Sequence, residues 1–281
     1  ALVSLGEKVA GVTKIFDQCA SIIYKMLDIV MLYSPIGVLA LMANTTAVFG
    51  PKLFGVLAKF VFTDWVGCLL IWFFFSGIVW LYTKVNYLEM CKSMIPIWVN
   101  TIATNSSAGT IPITLNVTTE RLKVPMSIAS FSIPLGATIN LTGAALYKTI
   151  LAFFVAEIYG LQLTIDQILM VIIISTIMSI AAPGIPGGGI VTGAIFLNLL
   201  GLPMDLMGPI AGMYRLIDMS HTTVNVSGDV LGTMLVAKNE NIWTGEDFNK
   251  TLVYQVANDT YCKNARLVEK TSKFYEDIIL K

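Results

Sequence analysis

Between Val124 and Ala237 only seven residues are charged: Lys148, Glu157, Asp166, Asp205, Arg215, Asp218 and Asp229. A stretch so poor in charge cannot present a water-facing surface, so it must lie in lipid or inside protein. About 20 apolar residues suffice to cross a bilayer. Here, however, four polar or helix-weakening words cut the apolar sequence: "NSSAGTIP" (105–112), "NLTG" (140–143), "PGIPGGG" (183–189) and "NVSGD" (225–229). Backbone groups freed at membrane depth persist only where protein buries them or where they line a cavity. Four interruptions in one region therefore point to one shared polar site.

The whole chain agrees with a membrane setting. It is 56% hydrophobic and 13% charged over 281 residues, with mean hydropathy +0.75. A soluble domain carries about 25% charged residues. The net charge of +0 implies no nucleic-acid partner. Of the 36 charged residues, 14 lie between Lys238 and Lys281, which marks a wet tail. Cys19, Cys68, Cys91 and Cys262 show no metal-binding spacing, and His221 is the sole histidine. With no nucleophile–base pair in view, an enzyme is not expected.

Residues 15–49 read as one long helix kinked near Pro35 and Gly37, and 53–82 as a second span. Beyond these, 93–122 reads as a hairpin, 126–158 as a broken span, 165–200 as a hairpin and 205–237 as a broken span. Each half thus runs from an interrupted hairpin into a span carrying T-[IV]-N-[LV]-[TS]-G: "TINLTG" at 138–143 and "TVNVSG" at 223–228. Paired interrupted segments of this kind mark a secondary transporter built from inverted repeats. The fold expected is an all-α membrane protein whose inverted-repeat core has two re-entrant helical hairpins and two broken transmembrane helices. Its parts are a scaffold-type helix (1–51), a transport core (52–237) and a cytoplasmic tail (238–281). Lys84, Lys92, Arg121, Lys123 and the Lys-rich tail fall on one side, which the positive-inside bias places in the cytoplasm. The hairpins then enter from opposite faces and meet tip to tip at mid-membrane.

Asp218, Thr222, Asn225 and Asp229 follow one another at spacings of 4, 3 and 4, a single helical stripe. Intramembrane carboxylates are functional candidates. The alternative for Asp218 is a structural ion pair with Arg215. Carboxylate, Asn amide oxygen and freed carbonyls, with Asn140 from the other break, are hard ligands suited to Na⁺. In the first tip, Ser106 and Ser107 offer hydroxyls beside a helix N-terminus, which attracts a carboxylate. The glycines of the second tip let bare backbone approach a ligand. A carboxylate-binding tip opposite a buried aspartate is a site for a zwitterion, an amino acid.

These pieces resemble the dicarboxylate/amino acid:cation symporters, the family of the excitatory amino-acid transporters. The resemblance rests on "NSSAGTIP", "PLGATINLTGAALY", "GIPGGG" and "DMSHTTVNVSGD", in family order across roughly residues 7–240. It implies an elevator-type carrier, a homotrimer in membrane lipid, with residues 7–49 in the scaffold. It also implies that substrate meets Ser106, Ser107, Ile185, Pro186, Gly187, Asp218, His221, Thr222 and Asn225. Sodium is implied at Gly136, Thr138, Asn140, Leu141, Asn225 and Asp229.

The departures from the family pattern concern specificity. His221 stands where acidic-substrate members have an arginine, and Tyr214 replaces the aspartate behind it. Asn105 occupies a second arginine position. Thr142 replaces a sodium-binding aspartate, and Ala144 a threonine that contacts the substrate side chain. A buried carboxylate without a partner costs several kcal/mol, so small neutral amino acids such as serine, threonine or alanine are expected over glutamate and aspartate. Two alternatives stay open: an acidic amino-acid symporter with rearranged recognition, helped by a protonated His221, and a truncated homologue that does not transport. Nothing resembles the family's first four spans, and no signal peptide precedes "ALVSLGEKV". A fragment or a truncated gene is therefore expected, and Thr142 puts a third sodium site in doubt.

Overall fold

The computed structural model describes residues 52–182, 184–246 and 248–249, and scattered positions between 11 and 47, which are helical. Most of the span expected over 15–49, Pro183 of the second tip, Asp247 and the tail from 250 onward lie outside the described residues. All regular structure among the described residues is helical: α1 (Lys52–Thr83), α2 (Tyr87–Thr104), α3 (Ser107–Asn116), a π-turn (Val117–Arg121), α4 (Met126–Ile139), α5 (Thr142–Ile158), α6 (Ile165–Ile180), α7 (Gly188–Leu199) and α8 (Met207–Asn239).

Local chemistry explains most boundaries. Asn86 caps α2 by accepting the Glu89 N–H, and Thr164 and Gln167 cap α6 reciprocally. The first hairpin accordingly starts at Tyr87 rather than at 93. Its tip turns at Asn105, which holds the left-handed conformation (φ 52°, ψ 35°) that Asn tolerates better than most side chains. The second tip turns at Gly187, with φ 76°.

Gly55–Thr83 and Met126–Ile158 are long and apolar enough to cross a membrane. Phe62, Leu70, Phe73, Phe74 and Leu81 of α1 and Ile165, Ile172, Ile173 and Ile177 of α6 are exposed. In water such a surface is unfavourable; against acyl chains it is solvated.

Two apolar clusters hold the bundle together. One joins α1, α5, α7 and the start of α8 through Phe60, Leu151, Phe196, Ile210 and Ile217. The other joins the first hairpin, α4 and the end of α8 through Met94, Leu122, Ile133, Val230 and Met234. The polar stretch of α8 from Asp218 to Asp229 lies between them. α8 packs against α1, α2, α3, α4, α5 and α7.

Two expectations are corrected. The last span is not broken at "NVSGD": α8 is continuous for 33 residues. A glycine inside a helix costs only about 1 kcal/mol relative to alanine, too little to break one packed on six neighbours. Ser227 also bonds sideways, accepting the Trp98 indole N–H at 3.0 Å, rather than competing for helix backbone. Only the first word breaks its span, at Asn140 (φ −94°, ψ 68°) and Leu141 (φ −100°, ψ 55°). Likewise, the chain does not leave the core at 237. Trp243 and Phe248 are buried in the second cluster, and Trp243 donates to the Leu122 carbonyl at 3.1 Å. Asn249 bonds the Asn86 N–H and the Lys84 carbonyl, sealing the α1–α2 loop.

Candidate functional site

The two hairpin tips meet. The Ser106 hydroxyl donates to the Gly184 carbonyl at 3.2 Å, and the Ala108 N–H reaches the same oxygen at 3.4 Å. Ser106 also caps α3 by accepting the Gly109 N–H at 3.0 Å. A cavity of about 30 Å³ lies behind this seam. Of the expected substrate residues, Ser107, Ile185, Asp218, His221, Thr222 and Asn225 line it, together with Asn105, Tyr214 and Gly189. Ser106, Pro186 and Gly187 are not in its wall; Gly187 instead sends its N–H to Asp218 Oδ2 at 3.3 Å. The second tip thus places a backbone dipole on the carboxylate. Gly189 is needed bare here, because a Cβ would collide with the Tyr214 hydroxyl.

Arg215 does not pair with Asp218. Its guanidinium donates to the Ala103 carbonyl at 3.0 Å. The Tyr214 hydroxyl lies 3.5 Å from Asp218 Oδ1. With no cationic partner among the described residues, Asp218 is free to meet a cationic ligand group.

The two repeated words face each other and exchange contacts. Asn140 Nδ2 sits 2.6 Å from where a Cβ of Gly228 would stand, and Asn225 Oδ1 accepts the Gly143 N–H at 2.7 Å. The Asn of each word therefore rests on the Gly of the other. Asn140 Nδ2 further donates to Asp229 Oδ1 at 2.8 Å and to the Asn225 carbonyl at 3.1 Å. A Cβ at Gly136 would overlap the Asp229 carboxylate, so α4 approaches α8 only because that position is bare. Gly136, Asn140 and Asp229 border a second cavity of about 490 Å³ between α1, α4 and α8. Asn225 and Leu141 line the small cavity instead. Thr138 is the outlier of the expected sodium set: its side chain is exposed and its hydroxyl bonds the Leu135 carbonyl at 2.7 Å.

Carboxylate, amide oxygen and the carbonyls that the 140–141 break deprives of helical partners form an oxygen-rich donor set. It suits Na⁺ and not a thiophilic metal. Thr142 donates its hydroxyl to Asn140 Oδ1 at 2.8 Å.

Alanine at Gly143 tests the interlock. Its Cβ would stand 2.6 Å from the His221 Cα and 2.9 Å from the His221 carbonyl, both rigid backbone. Overpacking of this kind costs about 1–3 kcal/mol. Gly143→Ala is expected to lower the melting temperature in detergent by several degrees; an unchanged melt would refute the close contact of α5 with α8.

Two buried charged groups were given no role by the sequence reading. Asp64, fully buried on α1, accepts from His221 Nε2 at 2.8 Å and from the Ser220 hydroxyl at 2.9 Å. Cys68, one turn on, brings its sulfur to within 4.8 Å of the Asp64 and His221 ligand atoms. Lys148, fully buried on α5, donates to the Ala144 carbonyl at 3.3 Å and to the Ser179 hydroxyl of the second hairpin at 3.2 Å. The rule that flags Asp218 and Asp229, a charge at membrane depth, applies equally to both.

Comparison with known proteins agrees with this arrangement. The family model of the sodium:dicarboxylate symporter family matches residues 1–239. A proton/glutamate-aspartate symporter of Bacillus subtilis is 30% identical over 248 residues, 88% of this chain and 60% of the relative. An excitatory amino acid transporter of Caenorhabditis elegans is 31% identical over 246 residues, 84% of this chain and 48% of the relative. Excitatory amino acid transporter 3 of Mus musculus is 33% identical over 236 residues, 83% of this chain and 45% of the relative. The chain thus spans about half the length of the curated relatives it matches. With its paired hairpins, its broken span and a family match over most of its length, this multi-pass membrane protein, a transporter homologue and not an enzyme, belongs to the sodium:dicarboxylate symporter family.

Proposed function

We propose that this chain forms the transport core of a sodium-coupled symporter of small neutral amino acids, working by an elevator-type movement. The observation that carries this reading is the small cavity at the tip junction. It is lined by Ser107, Asp218 and Asn225 and backed by the Asn140–Asn225–Asp229 group. Substrate carboxylate would meet the Ser107 end, and its ammonium would meet Asp218. Sodium would be held by Asp229, Asn225, Asn140 and carbonyls near Gly136, Thr138 and Leu141. The second tip, Ile185–Gly189, would open to admit substrate, since about 30 Å³ does not hold an amino acid. Neutral substrates are favoured because no Lys or Arg lines the cavity, and Asp218 repels a second carboxylate. A homotrimeric assembly and a cytoplasmic C-terminus belong to the same reading.

A second reading, an acidic amino-acid symporter, is favoured by the Bacillus subtilis relative, a proton/glutamate-aspartate symporter. Uptake by the full-length gene product in proteoliposomes decides between them. Serine, threonine and alanine are expected to be taken up only with an inward sodium gradient. Aspartate outcompeting serine at pH 7 would favour the second reading, and uptake indifferent to sodium would refute the coupling.

A further inference from the structure

The sole histidine is the least explained group in the cavity wall. It is 1% exposed, and Nε2 lies 2.8 Å from Asp64 Oδ1. An ionised carboxylate only accepts, so it draws the imidazole proton to Nε2. In the neutral ring Nδ1 is then an acceptor, and that atom is buried without a partner. Asn105, 2% exposed, repeats the pattern. Its Nδ2 donates to the Arg215 carbonyl at 2.9 Å, which fixes the amide orientation, and its Oδ1 is buried without a partner. Both residues line the small cavity. Two buried acceptors lacking donors are costly, and their cost is relieved by a ligand that brings a donor.

We propose that Asp64 is a positioning residue for specificity. Through Nε2 it holds His221 in the tautomer that presents an acceptor to the cavity, so the site prefers a small amino acid whose side chain carries a hydroxyl. The inference rests on the reading of this cavity as the substrate site. The alanine methyl offers the two acceptors nothing, the one serine hydroxyl proton satisfies one of them, and an ionised acidic side chain offers only further acceptors. Ser220, held by the other Asp64 oxygen, and the Tyr147 ring, 5.3 Å from the imidazole between centroids, restrain His221 further.

The test is sodium-dependent uptake by the full-length protein in proteoliposomes, with serine, alanine and aspartate as competitors. Wild type is expected to favour serine over alanine about tenfold, the scale of one hydrogen bond to a group otherwise left unpaired. Asp64→Val is expected to bring that ratio to near one, while the sodium concentration for half-maximal uptake stays put. Asp64→Asn, which keeps an accepting oxygen, is expected to retain the preference. A merely structural Asp64 would lower uptake of both substrates together and leave the ratio intact, which overturns the inference. Should Asp64→Val fail to fold, the wild-type ratio still decides: parity between serine and alanine overturns it. Aspartate competing as well as serine in wild type also overturns it, because Nδ1 would then be a donor. Absence of any sodium-dependent serine uptake would sink the reading of the site itself, whereas serine uptake with an unaltered ratio in Asp64→Val removes this inference alone.

Discussion

Replacing Asp229 by asparagine is expected to raise the sodium concentration for half-maximal uptake by about 100-fold or more. Removing a group that only orients a metal ligand typically costs about 10–100-fold in affinity, and a charged direct ligand, the role proposed for Asp229, should cost no less. Asparagine is nearly isosteric, so the close approach permitted by Gly136 survives. Its amide can still meet Asn140, and what disappears is the negative charge facing the Asn140–Asn225 group. The measurement is initial serine uptake against external sodium, with lithium or choline as replacement. A sodium curve shifted by less than threefold would remove Asp229 from the cation site. A shift in the serine curve with no shift for sodium would reassign it to substrate.

The converse is expected for Asp218→Asn: serine half-saturation rises about 100-fold at saturating sodium. Two effects combine. The substrate ammonium loses a charge-assisted bond of about 1.5–3 kcal/mol, where 1.4 kcal/mol corresponds to about tenfold. The Gly187 N–H also loses its charged acceptor, which loosens the second tip. Because Arg215 bonds the Ala103 carbonyl instead, no buried cation is stranded by the change, and folding should be kept. Protein that elutes normally but binds serine as tightly as wild type would show that Asp218 is not the ammonium partner.

Much of the architecture was legible before any coordinates. Gly and Pro clusters between short apolar runs identified both hairpins, because such words have no place in a plain span at membrane depth. The Thr164–Gln167 cap starts α6 at Ile165, and it depends on neighbours three residues apart. The failure at "NVSGD" has the opposite cause. Asn, Ser and Gly weaken a helix locally, but α8 is held by contacts with six other helices, and local propensity loses to that packing. Trp243 and Phe248 fall in the stretch read as a wet tail; the Leu122 carbonyl and the second apolar cluster claim them instead.

The sequence by itself determined an all-α membrane protein with two hairpin tips and two repeated words, because charge depletion, helix breakers and the 3.6-residue period are written in neighbouring residues. Only the tertiary structure decided that the words interlock, Asn140 on Gly228 and Asn225 on Gly143, and that His221 answers to Asp64. Those partners lie 82 to 157 positions apart. No local rule reports which carboxylate a buried imidazole will meet across two helices, since that is set by how α1 packs on α8.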